Sequence, residues 1–289
     1  MTIPRILIIA GSDPSGGAGI QADLKTAQAF GVYAQTAITA VTVQDTVKVY
    51  SVNPVAPQIV RGQIEAALND IGADAIKIGM LATADIAAAV ADVLEANTIP
   101  LVLDTVLLSS SGTPLLDEAG VAILKKRLFR RAALVTPNLP ETEVLTGVYP
   151  RSEHRLRNAA MVFKMLGNEG VLFKGGHAFD DPLRPSHLGG ATATSPASAA
   201  RAGEGESNIV RDVLWTEGEF ISFEAPRLET RHTHGTGCTL ATAIACGLAQ
   251  KLPLREAVAR AEAYVQAAIR GAPGLGKGNG PLGHHPLSS

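Results

Sequence analysis

The sequence is poor in aromatic residues, in cysteine and in net charge. Aromatics are 4% of the 289 residues, so aliphatic side chains must fill the core, and a hydrophobic content of 46% is ample for that. Two cysteines, Cys238 and Cys246, exclude a disulfide framework and a cysteine metal cluster. Eight positions apart on one expected helix, they stand about 12 Å from each other, too far to bridge. Lys plus Arg is 25 and Asp plus Glu is 27, giving a net charge of −2. That balance gives no electrostatic case for binding nucleic acid or an anionic membrane. No stretch approaches the roughly 20 apolar residues of a membrane span. The start, Met1 to Arg5, leads into a short apolar strand and lacks a signal-peptide pattern. The expectation is a cytoplasmic protein with a single domain over 1–289.

What is present is an alternation of apolar strands and amphipathic helices. Strands are expected at 5–10, 36–43, 47–52, 75–78, 101–103 and 134–136, and helices at 20–30, 57–71, 83–96 and 118–128. Residues 211–215 and 219–223 read as a hairpin, followed by helices at 239–249 and 254–270. The implied fold class is α/β, a central, mostly parallel sheet with helices on both faces. Such sheets bind ligands beyond the carboxyl ends of their strands. Asp13, Asp104, Asn138 and Lys174 fall there. The segment 180–208, rich in Pro, Gly, Ala and Ser, has no periodicity and reads as a mobile insertion.

Several motifs carry possible chemistry. Gly235-Thr236-Gly237-Cys238 precedes an apolar helix. It reads either as a loop, with Thr236 as cap and Cys238 packed as a small apolar residue, or as an anion cradle at a helix's positive end. In the second case the helix field favours a Cys238 thiolate. Gly11 to Gly19 starts like a P-loop but has Gly17-Ala18 where Lys and a hydroxyl residue belong. It also fits a permissive dinucleotide fingerprint, yet its glycines come too late after the strand. Asn138-Leu139-Pro140-Glu141 is a capping-box pattern that could also hold a hydrated magnesium ion through Glu141. Asp104 is either a turn cap or a functional carboxylate. Lys174 before Gly175-Gly176-His177 is either a solvated turn residue or a phosphate contact. Gln44 offers the paired donor and acceptor that a heterocycle edge requires.

Six ordered motifs together are similar to the hydroxymethylpyrimidine/phosphomethylpyrimidine kinases of the ribokinase-like superfamily. They are residues 10–23, 40–45, 76–80, 136–141, 174–177 and 234–239, with the tail 278–282. The resemblance runs from Arg5 to His284, apart from the insertion. It implies transfer of a phosphoryl group from ATP, with Mg²⁺, to a hydroxymethylpyrimidine and then to its monophosphate. It further implies that Gly235, Thr236, Gly237 and Cys238 surround the transferred group, and that Gln44, Gly11 and Asp23 line the pyrimidine pocket. By the same resemblance Lys174 and Asn138 contact the nucleotide, and Glu141 and Asp104 face the metal. The partners implied are the small pyrimidine, ATP and a second copy in a homodimer, with no nucleic acid or membrane. Pyridoxal kinase, which needs the same machinery, is the alternative; a non-catalytic pyrimidine or nucleotide sensor is a remoter one. One departure is Asp104-Thr-Val-Leu-Leu-Ser109, where the family usually reads Asp-Pro-Val-Met-Val, so the pocket wall there is expected to differ.

Overall fold

The computed structural model describes residues 3–108, 114–175 and 209–285. The expected insertion at 180–208, and His177, lie outside the described residues. Nine strands form one sheet: β1 (Arg5–Ser12), β2 (Tyr33–Gln44), β3 (Val49–Pro54), β4 (Ala75–Ile78), β5 (Leu101–Leu103), β6 (Leu134–Val135), β7 (Val171–Lys174), β8 (Ile209–Thr216) and β9 (Glu219–Pro226). Their order is β3-β2-β1-β4-β5-β6-β7-β8-β9. Strands β2, β1, β4, β5, β6 and β7 run parallel, and β3, β8 and β9 join as antiparallel edges.

The helices are α1 (Gly19–Ala29), α2 (Pro57–Asp70), α3 (Ala84–Leu94), α4 (Glu118–Ile123), α5 (Leu139–Thr146), α6 (Glu153–Met165), α7 (Thr236–Ala249) and α8 (Leu254–Arg270). Period-two alternation in the strands sorts the core into two layers. Ile6, Ile8 and Ala10 point to the face covered by α1, α7 and α8. Leu7 and Ile9 point to the other face, packed on α2, α3 and α6. The expected α/β class is therefore correct in both topology and layering.

Two local expectations change. The helix expected over 118–128 is regular only to Ile123; Leu124–Leu128 forms a π-helical turn and Phe129–Arg131 a 3₁₀ turn. Helix α7 starts earlier than expected, at Thr236. That shift places Thr236, Gly237 and Cys238 inside the first turn rather than in the preceding loop.

Candidate active site

All the strand ends expected to converge do so at one rim. A cleft of about 390 Å³ lies over the carboxyl ends of the parallel strands. Gly11, Gln44, Asp104, Asn138, Glu141, Lys174 and the whole run Gly235 to Cys238 line it. Val106, Leu108 and Leu115 form an apolar side of the same cleft, the first two in the segment that departs from the family pattern.

The N-terminus of α7 forms one wall. Its cap residue, Gly235, has φ of +86°, and a Cβ there would overlap the Gly17 carbonyl oxygen, so only glycine fits. No side chain caps this helix. The Thr236 hydroxyl donates instead to Thr233 O at 2.7 Å, so the expected Thr236 cap is absent. Among the described residues the backbone N–H groups of Gly237 and Cys238 have no oxygen acceptor. Unpartnered donors at a positive helix end suit an anion.

Opposite charges meet beside it. Lys174 Nζ donates to Asp104 Oδ1 at 3.0 Å, and Thr136 Oγ1 donates to the same oxygen at 2.9 Å. Burial pushes the Asp104 carboxyl up, but Lys174 and then Lys77 overcome this and hold it below its ordinary value. Burial alone would lower Lys174; Asp104 and Glu141 keep it above the usual lysine range.

Glu141 takes the capping role and also lines the cleft. It completes a capping box, with Glu141 N donating to Asn138 Oδ1 at 2.8 Å and Asn138 N donating to Glu141 Oε2 at 2.9 Å. Thr105 Oγ1 donates to the same Oε2 at 3.1 Å. Glu141 nonetheless lines the cleft, and burial raises its carboxyl against the pull of Lys174.

No group of three or more His, Cys, Asp and Glu among the described residues could enclose a metal ion. Asp104 and Glu141 instead fit magnesium, which keeps several waters and takes one or two carboxylates plus phosphate oxygens.

Two expectations need correction. Asp23 does not line the cleft: it is fully buried, 2.8 Å from Lys77 Nζ, and accepts from Thr242 Oγ1 at 2.7 Å. It faces behind the rim because α1 packs that side inward on α7 and β4. Cys238 lines the cleft, but its thiol is not acidified. Burial pushes it up to about 11, and Lys77 only partly offsets this. Desolvation outweighs the helix field.

Lys77 and Met80, both within the motif 76–80 but given no site role there, line the cleft at and just beyond the end of β4. The available signal was a lysine inside the apolar strand Ala75–Ile78.

A second cleft of about 860 Å³ adjoins the first. Its walls come from β8, β9 and α8, including Val210, Phe223, Ala225, Ala259 and Ile269. Asn138, Lys174, Thr233, Thr236 and Gly237 belong to both clefts, so the two meet at the first turn of α7. Glu262 also lines the second cleft. Burial, reinforced by the facing Asp212, pushes its carboxyl up to about 9.

The family model described as phosphomethylpyrimidine kinase matches residues 13–283. A Haemophilus influenzae hydroxymethylpyrimidine/phosphomethylpyrimidine kinase is 38% identical, covering 98% of this chain and 97% of that protein. The thiamine biosynthesis bifunctional protein ThiED of Geobacter sulfurreducens is 42% identical over 96% of this chain, which spans about half (52%) of that longer protein. Among solved structures, the Staphylococcus aureus pyridoxal kinase in complex with AMP-PCP and pyridoxal superposes with a TM-score of 0.82 at 31% identity, covering 99% of this chain and 95% of that one. A phosphomethylpyrimidine kinase from Clostridium difficile 630 gives 0.72 at 33% identity, over 93% and 100%. With a matching family model over nearly the whole length and full-length relatives well above 30% identity, the chain belongs to the phosphomethylpyrimidine kinase family.

Proposed function

We propose that the protein transfers the γ-phosphoryl group of ATP to the hydroxymethyl oxygen of 4-amino-5-hydroxymethyl-2-methylpyrimidine, and then to the monophosphate so formed, in thiamine biosynthesis. The observation that carries this reading is the pair of clefts sharing Lys174, Thr236 and Gly237 at an uncapped helix end. The larger cleft takes the nucleotide, the smaller one the ring, and the phosphoryl group crosses where they meet.

Gln44 presents an amide donor and acceptor at the end of β2, matching a ring nitrogen and its neighbouring amine. Gly11 lies flush beneath, where a Cβ would overlap the Met80 methyl group. The Gly237 and Cys238 N–H groups receive the charge on the transferred oxygens, and Lys174 neutralises it from the nucleotide side. Asp104 and Glu141 are the residues that would hold magnesium, which would supply positive charge against that of the phosphate oxygens. Cys238 stands beside the reacting alcohol and takes its proton. Only the thiolate fraction of Cys238 can accept it, and a loose transition state asks little of that base, so a small fraction suffices.

Exposed Val41, Val43 and Tyr50 on β2 and β3 support a homodimer, since a second copy would cover them. Sedimentation of the full chain tests that assembly.

The decisive assay supplies the hydroxymethylpyrimidine and pyridoxal side by side with MgATP and identifies products by mass. Pyrimidine mono- and diphosphate are expected. Phosphorylation of pyridoxal alone would transfer the assignment to the structural neighbours' reaction.

A further inference from the structure

Strand β4 is apolar except at one position. Lys77 is fully buried within it, and its Nζ stands 2.8 Å from the equally buried Asp23 of α1. Thr242 of α7 donates to the other Asp23 oxygen at 2.7 Å. Thr242 follows Cys238 by four residues, one helical turn, so both lie on the face of α7 turned toward this pair. Gly79 gives the ammonium its room, because a Cβ there would stand 2.9 Å from Lys77 Nζ. Lys77 and Cys238 line the same cleft. Burying an ion pair this deeply is weak support for stability, since well-packed apolar residues do as well. The pair therefore calls for another role.

We infer that Lys77 is a positioning residue for Cys238: its ammonium, pinned by Asp23, is the fixed positive charge that governs how readily the sulfur accepts the substrate's proton. This role rests on the kinase reading above. In the step concerned, the substrate O–H bond breaks and the proton passes to the Cys238 thiolate. The freed oxygen pair bonds the γ-phosphorus, and the bond from that phosphorus to the bridging oxygen of ADP breaks. The thiol then returns its proton to water. The charges acting on the sulfur are those of Lys77 on β4, Asp23 on α1 and Asp104 beyond β5, and the Gly19 N–H donates to it. Lys77 and the Gly19 N–H favour the anion; the two carboxylates oppose it.

The two members of the pair must then act on Cys238 in opposite directions. The test is iodoacetamide alkylation of the nucleotide-free full chain at fixed pH, in a Cys246→Ala background. Lys77→Met should slow the reaction and Asp23→Asn should accelerate it. Each pH unit of displacement changes the rate about threefold once the altered nucleophilicity of the sulfur is included. The rising limb of kcat against pH should move upward in the first variant and downward in the second. A purely structural pair predicts equal effects from both variants. Rates that stay unchanged, or that move in the same direction, overturn the inference. Should Lys77→Met fail to fold, the Asp23→Asn arm decides alone, and no acceleration there is fatal. Because alkylation needs no substrate, its outcome is independent of whether the pyrimidine proves to be the substrate.

Discussion

His234 Nε2 lies 2.8 Å from Asp13 Oδ2, joining the loop after β1 to the loop before α7 across 221 residues. Asp13 also accepts from Ser15 N, Ser15 Oγ and Ala18 N, each at 2.8 Å. Burial would raise this carboxyl, but the bonds from His234, Gln44 and Ser15 bring it down to about 2. A carboxyl lower in the folded state than in the unfolded chain stabilises above its ordinary value, and that stability is lost as pH falls toward 2. Asp13→Asn should therefore cost about 2 kcal/mol at neutral pH and little at the acid end. Urea titrations at the two pH values measure the difference.

Cys238→Ala removes the proposed proton acceptor and keeps the backbone donors. Turnover should fall by a factor of about 10² to 10³, with ATP binding retained by calorimetry. Near-normal turnover would strip Cys238 of its role and leave the helix end as the main catalytic element.

Gly235→Ala should be damaging out of proportion to its size. The left-handed backbone costs an alanine about 1–3 kcal/mol, and its Cβ would push against Gly17. The two loops that wall the smaller cleft would separate. A lower melting temperature together with at least tenfold weaker turnover, on the order expected for displaced donors, is the predicted signature.

Glu262 makes the opposite pH prediction from Asp13. Its folded-state carboxyl, raised to about 9, keeps a proton that the unfolded chain has already released. Its stabilising contribution is complete in acid and disappears as pH rises toward that value. Glu262→Gln should raise the melting temperature at mildly alkaline pH and leave it unchanged in acid. Scanning calorimetry across that range checks the sign.

Much of the architecture was legible because buried parallel strands are short apolar runs with abrupt polar ends. β4 and β5 match their expected bounds, as does α8, whose stripe of Ala257, Val258, Ala261 and Val265 repeats at helical spacing. Helix α6 was overlooked although Leu156, Ala159, Ala160 and Phe163 carry the same spacing behind a Ser152 cap. The π-helical turn after Ile123 was not legible, since its bonding pattern depends on how Leu124 and Leu128 pack. At the site, strand-end residues such as Asp104 and Lys174 could be placed from sequence, because topology fixes where strands end. Asp23 could not. A helix position faces the rim or the core according to the crossing of its neighbours, and its partner Lys77 lies 54 residues away.

Two mouths opening on one helix tip have a kinetic corollary. On the proposed assignment of the two clefts both reactants are seated together, so double-reciprocal plots should intersect, in contrast to the parallel lines of a ping-pong scheme. Displacement in a ternary complex, without a phosphoenzyme, also inverts configuration at phosphorus. A chiral thiophosphate donor would therefore deliver its label with opposite handedness.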